Sequence, residues 1–396
     1  MQSLENEPQK LHHKALFAAF DVYPSAKGAA IHIYHNAKAL FEYKKGGILL
    51  VVGNEKLPTW QQEENIEIHR FQNQQQNYLQ RTEQYMQWVS VHLSQQNNLE
   101  IAHFRDIWSG IPILLHQKKY QKNFHTIFEV NALTSIELPY RYPQILPITI
   151  HKIQQQEQFC LENATHIITP SNTIKQNIIE KYNLPPEKIT VITNGADIPK
   201  TFQKPTHLPP KYLIYIGALQ PWQGINTLFK AFQILQNHQP DLHLVICSAV
   251  KAKAAKPYKK IAEKLGISAK IIWQYQLRKK TLANYLKHAI ASLAPLTECS
   301  RNITQGCCPI KILESMATAT PIFASEMPAT QEIITHQKNG ILIRPDRPQQ
   351  WARTLQEYIE QPQTLQKIAQ NAKKHIEKYY TWQQKREELK KLYQNL

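Results

Sequence analysis

Hydrophobic and polar positions along this chain repeat at two periods, and the two periods take turns. Short, nearly continuous apolar runs read as strands buried on both faces, and longer runs with apolar residues three and four apart read as helices. Ala15–Val22 is of the first kind, and the loop Tyr23-Pro24-Ser25-Ala26-Lys27-Gly28 separates it from a helical run at Ala29–Tyr43. Gly47–Gly53 and Ile66–Phe71 follow as strands, Asn77–Gln95 as a helix, and Glu100–Phe104 and Phe124–Val130 as strands. A helix over Ile148–Asn163, a strand at His166–Pro170, a helix over Ser171–Tyr182 capped by Ser171, and a strand at Lys188–Ile192 complete the first half.

Asn194-Gly195-Ala196-Asp197 closes that strand, and Lys200–Lys211, with Pro205, Pro209, Pro210 and little apolar pattern, reads as an interdomain linker. The alternation then restarts. Tyr212–Ile216, Leu242–Cys247, Lys270–Trp273 and Ala289–Ala294 are strands with helices between them, the first helix being Ile225–Gln236. Beyond Arg344 only charged helical runs remain, at Pro348–Ile359, Leu365–Tyr379 and Trp382–Leu396. Strands alternating with helices predict parallel sheets covered on both faces. Two such sets predict an α/β chain of two doubly wound domains, with a ligand in the cleft at the carboxyl ends of the strands.

Length supports two domains, since 396 residues can supply each with its own core. No apolar run approaches the ~20 residues of a membrane span. The opening MQSLENEPQKLHHK lacks the basic and then apolar pattern of a secretory signal. Cys160, Cys247, Cys299, Cys307 and Cys308 are odd in number and have neither disulfide-framework nor zinc spacing. A cytoplasmic protein is expected. Charge changes the picture more. Forty-seven Lys plus Arg against 30 Asp plus Glu leave +17, an excess that attracts nucleotides, anionic lipid or nucleic acid. Part of it lies in Lys251–Lys260 (KAKAAKPYKK), an exposed run that could meet an anionic membrane or simply be a solvated basic face. Aromatics are not interleaved at strand spacing, so no nucleic-acid partner is expected.

The densest candidate chemistry lies between Arg301 and Arg344. A loop with Gly306 and Pro309 leads into a helical pattern with Ile310, Leu313, Met316 and Ala317 on one face, then the strand Pro321–Ala324. A helix N-terminus is a seat for phosphate. Lys311 adds a positive charge there, and Glu314, three residues on and on nearly the same side, can accept hydrogen bonds from a ribose diol. A solvated Lys–Glu pair is the plain alternative.

Five segments, from Pro24 to Ile343, then carry a resemblance. Pro24–His32 is similar to the Gly-rich loop and helix start that faces the donor phosphate and acceptor in family 4 glycosyltransferases. Thr169-Pro170-Ser171 and Thr193–Asp197 resemble that family's TPS and PNGVD segments. Tyr215–Gly224 resembles YVGRLxxxKG, and Lys311–Ile343 resembles PxKxxExMAxGxPVVAS…E…NGxL. The resemblance implies a GT-B architecture of two Rossmann-like domains facing a central cleft. Residues 1–204 would form the acceptor side and 205–375 the nucleotide-sugar side, with a helix at 376–396 crossing back. It also implies a retaining, metal-independent transfer from a UDP- or GDP-linked sugar to a glycan or lipid-linked acceptor, at the inner membrane face. The alternatives are a soluble enzyme acting on a small molecule or protein, and an inactive binding relative.

Three departures bear on activity. The family's loop Arg and Lys are here Ala218 and Gln223, the first acid of its Glu-x7-Glu pair is Gly306, and its histidine near the transferred sugar is Asn131. Lys311, and with it Arg301, are the cations available to replace the loop pair. The two readings together nominate Asn131, Glu129 and Asp106 as catalytic, and Gly28, Gly217, Gln223, Arg301, Lys311 and Glu314 as donor-binding, with no metal ligands. Asp106 could instead pair with Arg105 or Arg141, Glu129 could be a structural hydrogen-bond partner, His32 could lie in the core, Glu332 could cap its following helix, and Trp222 could flank the nucleotide or cover the linker.

Overall fold

A computed structural model describes residues 13–396. The first half contains strands β1 (Ala15–Val22), β2 (Gly47–Val52), β3 (Trp60–Glu63), β4 (Ile66–Phe71), β5 (Ile101–Phe104), β6 (His125–Glu129), β7 (His166–Thr169) and β8 (Ile189–Val191). They form one sheet in the order β3-β4-β2-β1-β5-β6-β7-β8, parallel except where β3 lies antiparallel on β4. Its helices are α1 (Gly28–Lys44), α2 (Tyr78–Ser94), α3 (Ile107–Lys119), α4 (Thr134–Arg141), α5 (Pro147–Asn163) and α6 (Asn172–Tyr182). The second half contributes β9 (Tyr212–Ile216), β10 (His243–Ser248), β11 (Ile271–Tyr275), β12 (Ala291–Ala294), β13 (Ile322–Ser325) and β14 (Ile341–Ile343). These form a wholly parallel sheet in the order β11-β10-β9-β12-β13-β14. Around it and after it come α7 (Ile225–Gln236), α8 (Lys256–Lys264), α9 (Lys279–His288), α10 (Ile310–Ala317), α11 (Pro328–Gln331), α12 (Pro348–Ile359), α13 (Pro362–Tyr379) and α14 (Trp382–Gln394).

The period of two along a strand decides which core each residue enters. In β1, Leu16 and Ala18 join the cluster under α2, α3 and α5, and Ala15, Phe17 and Ala19 join the opposite one with Ile33 and Leu40 of α1. In β9, Leu213 and Tyr215 face one side, and Tyr212, Ile214 and Ile216 the other. Strand order reverses between β1 and β5 and again between β9 and β12, and such switch points open a crevice at the carboxyl ends of the strands.

The chain end returns to the first sheet. Leu389 and Tyr393 of α14 are buried beside Phe17 and Ala39, contributing about 1.5–3 kcal/mol each. The Tyr393 hydroxyl lies 2.7 Å from His103 Nδ1. At the start of that return, Gly195 runs so close to Trp382 that a Cβ would stand 2.7 Å from its backbone nitrogen.

Five elements have no counterpart in the sequence reading: β3, β14, α3, α4 and the one-turn α11. β3 (WQQE) has no apolar alternation and exists only as an edge partner of β4. α3 carries Pro112 within it, and α4 Pro139. Both helices are set by the packing of residues such as Trp108, Ile113 and Leu138. Among the described residues, no helix is long and apolar enough to cross a membrane.

Candidate functional site

On the second sheet the site is built where β9 ends and α10 begins. Gly217 follows β9 with φ +139°, a conformation L side chains rarely adopt. A Cβ there would also displace the Lys311 ammonium, standing 2.7 Å from its Nζ. Lys311, in the first turn of α10, reaches over this glycine. Its ammonium donates to Gln223 Oε1 and to the Tyr215 hydroxyl at 3.3 Å, and lies 4.3 Å from the Tyr215 ring centre. The Tyr215 hydroxyl in turn donates to the Ala218 carbonyl at 2.6 Å. The residue standing at the family's loop lysine, Gln223, therefore holds a lysine delivered from another element. Burial pushes the Lys311 ammonium down to about 7 and the Glu314 carboxyl up to about 7. Among the described residues no donor hydrogen-bonds the Glu314 carboxylate; the charges that act on it are Lys279, Asp197 and Lys311.

The first sheet faces this point with the start of α1. A Cβ on Gly28 would meet Ile310 Cδ1 at 3.6 Å, so the amino ends of α1 and α10 approach each other. Neither end has a side-chain cap, which leaves backbone N–H groups of both helices without intrahelical partners. Two such ends and one ammonium make an anion seat.

Below α1, Glu129 closes β6 and is 2% exposed. Its carboxylate accepts from Asn36 Nδ2 at 2.8 Å and from Asn131 Nδ2, with His32 Nδ1 at 3.2 Å, His103 Nε2 at 3.4 Å and Arg105 Nε at 3.4 Å. Burial alone would raise this carboxyl, but the His103 and His32 imidazoles and the Arg105 charge, all within 3.4 Å, outweigh it and hold it well below the usual carboxylate range. Arg105 also pairs with Asp21. Of the three catalytic candidates, Asn131 and Asp106 are partly exposed and Glu129 is buried, holding Asn131 through its Nδ2. His32 is one of the buried partners. Asp106 caps α3, accepting from Ser109 N at 2.9 Å and from Phe20 N at 2.6 Å. Burial raises its carboxyl to about 6.

Between the sheets runs a set of direct contacts. Arg301, nominated for the donor, is committed to Glu137 of α4, with Nη2 3.0 Å and Nε 3.2 Å from Oε1. Its guanidinium lies over Trp222, 5.6 Å from the ring centre, and Tyr140 meets Trp222 edge-on at 5.6 Å; that indole is thus an interdomain contact. Gln305 accepts from Leu133 N at 2.8 Å, and Asn194 donates to the Cys308 carbonyl at 2.6 Å. Glu332 caps not its own following segment but α6 of the other domain, accepting from Asn172 N at 2.8 Å, Thr173 N at 2.9 Å and Thr173 Oγ1 at 2.7 Å. Gly306, with φ +75°, sits against that same helix end, where a Cβ would stand 2.7 Å from Thr173 Cγ2. The position of the missing first acid is thus filled by the neighbouring domain.

The sequence reading did not single out Asn36, His103 or Tyr393. Each lies in a strand or helix with no local feature to mark it, and its role arises only from tertiary placement.

Two doubly wound sheets whose switch points open on one cleft, joined by a helix that returns to the first, define the GT-B architecture. The fold is shared with sucrose-phosphate synthase from Thermosynechococcus elongatus, with a TM-score of 0.78 at 16% identity over 96% of this chain and 98% of that one. It is shared also with Anabaena HepE in complex with UDP-glucose, with a TM-score of 0.72 at 15% identity over 97% and 100%. Residues 26–200 match the profile of Glycosyltransferase Family 4, and residues 197–375 that of Glycosyl transferases group 1. The chain belongs to the family 4 glycosyltransferases. Among its relatives, the D-inositol 3-phosphate glycosyltransferase of Thermobispora bispora is 25% identical over 286 residues, which is 68% of this chain and 62% of that protein.

Proposed function

We propose that the protein is a retaining glycosyltransferase moving a sugar from a UDP-linked donor to a hydroxyl of a lipid-linked glycan, in cell-surface or exopolysaccharide synthesis. The observation that carries the reading is the pairing of a Lys311 ammonium, held over Gly217, with a Glu314 carboxylate that no protein donor satisfies. The UDP-glucose bound by HepE, on the same fold, supports the choice of nucleotide. In such a transfer the sugar gains oxocarbenium character and the leaving diphosphate gains negative charge. Lys311 and the amino ends of α1 and α10 would meet that charge as it develops, a role this reading gives to no metal. Glu314 would accept from the ribose diol. Asn131, fixed by Glu129, would border the transferred sugar, and the leaving phosphate would take the proton of the attacking hydroxyl.

Screening UDP- and GDP-sugars by thermal shift, and following UDP release without acceptor, tests the reading. A raised midpoint with UDP-sugars is expected, because a ligand that binds only the folded state stabilises it. Slow UDP release is expected with it. A binding role without turnover is the competing reading, favoured by Ala218 and Gly306 at positions where the family has charge; it predicts the shift with no release. No shift with any nucleotide sugar would contradict both.

A further inference from the structure

We infer that the connection between α4 and α5 is a membrane-docking tip that seats on anionic lipid. The inference deepens the reading above and rests on its lipid-linked acceptor. Tyr142, Leu146 and Ile148 are 43%, 64% and 58% exposed, three large apolar side chains within one short segment that contains Pro143 and Pro147. Large apolar groups turned to solvent in a cluster mark an interaction surface rather than ordinary surface scatter. The segment is not a loose loop. Ile145 and Ile150 point inward and pack on the first-domain core, and the Tyr142 ring lies 5.7 Å from that of Tyr78. The Ile145 amide bonds to the Tyr142 carbonyl at 2.9 Å.

Charge says what would cover it. Arg141 stands at one end of the tip and His151 and Lys152 at the other, all exposed, and no Asp or Glu occurs from residue 138 to residue 156. An apolar tip with a basic collar and no acid fits the interface of an anionic bilayer, where the side chains enter the acyl boundary and the cations meet headgroups. The Lys251–Lys260 run is different in kind. It has exposed Lys251, Lys253, Lys256 and Lys260 but no large apolar side chain among the exposed groups, so it could attract a membrane without inserting. Position supports the tip as well. It hangs from α4, the helix that carries Glu137 against Arg301 and Tyr140 against Trp222 at the edge of the cleft. A glycan tethered to lipid would meet the cleft there.

Sedimentation with vesicles tests this without requiring turnover. The parent protein should pellet with phosphatidylglycerol–phosphatidylethanolamine vesicles and not with phosphatidylcholine alone. Leu146→Asp with Ile148→Asp should cut the bound fraction at least tenfold at unchanged thermal midpoint and unchanged UDP binding; Leu146→Ser with Ile148→Ser is the milder pair should the first misfold. Arg141→Glu with Lys152→Glu should weaken pelleting similarly, and Lys251→Glu, Lys253→Glu and Lys256→Glu together should weaken it less. Pelleting of both tip pairs equal to the parent would overturn the inference, as would a parent that does not pellet, or complete release by the Lys251 set alone. Because UDP release is measured separately, loss of membrane binding and loss of the glycosyltransferase reading are distinguishable.

Discussion

Two glutamates stand near the carboxyl ends of the two sheets, and the protein treats them in opposite ways. Glu129 of the first domain is buried among Asn36, Asn131, His32, His103 and Arg105, and its carboxyl is held well below the ordinary range. Glu314 of the second is partly buried with no hydrogen-bond donor among the described residues, and its carboxyl is pushed up to about 7. A saturated acid is framework, while a partly exposed one that no protein donor meets is open to a ligand. The contrast puts ligand chemistry on the second domain and a prebuilt floor under the first.

The largest effect expected from this contrast is on stability. Glu129→Ala leaves Arg105 and the buried imidazoles without their common acceptor and should cost about 3–5 kcal/mol, read by urea unfolding. Glu314→Gln strands no native partner and should not destabilise; above about pH 7, where burial disfavours the ionised carboxyl, it should stabilise instead. Their pH dependences should oppose each other. A carboxyl whose folded value is depressed stabilises above its unfolded value, near 4.5, and loses that contribution as pH falls, so Glu129 should steepen acid unfolding. Glu314, with a raised value, stabilises below 4.5 and loses that contribution as pH rises through about 7. Equal stability losses in the two variants would break the comparison.

Next in size is the contact at Gly306. Gly306→Ala adds a Cβ 2.7 Å from Thr173 at a positive φ, and should cost about 1–3 kcal/mol or open the cleft, seen as a larger radius of gyration in solution scattering. An unchanged midpoint and radius would show that the domains do not close on this residue.

Smaller still is the effect of pH on UDP affinity. Lys311 must be charged to meet a diphosphate, so affinity should fall as pH rises above about 7; Glu314 must be ionised to accept from the ribose, so it should also fall below about 7. Each limb is limited to about tenfold per pH unit for one proton. Lys311→Met should remove the alkaline limb and Glu314→Gln the acid one. A flat profile in the parent would mean that neither group titrates on binding.

Much of this was legible in the chain. β1, α1 and the β9–Gly217 turn follow from apolar period and glycine, and Lys311 and Glu314 were paired by their spacing alone. What sequence could not give is who answers whom across elements. Nothing local marks Gln223 as the acceptor for Lys311, and nothing near residue 306 announces Thr173. Arg301 looked available because its partner Glu137 is far away in the chain. Glu332 read as a local cap, and only the folded chain shows that its amide partners are Asn172 and Thr173. β3 was missed because an edge strand needs a neighbour more than it needs an apolar pattern.

The central claim is that Lys311 has replaced the loop cations as the group that meets the donor diphosphate. Calorimetric titration of UDP and of uridine into the parent, Lys311→Met and Lys311→Met with Gln223→Lys tests it most directly. A hydrogen-bonded charge of this kind contributes roughly 1.5–3 kcal/mol. Lys311→Met should therefore weaken UDP by about 10- to 150-fold and leave uridine unchanged, and Gln223→Lys in that background should recover most of the loss. UDP affinity unchanged in Lys311→Met would contradict the claim.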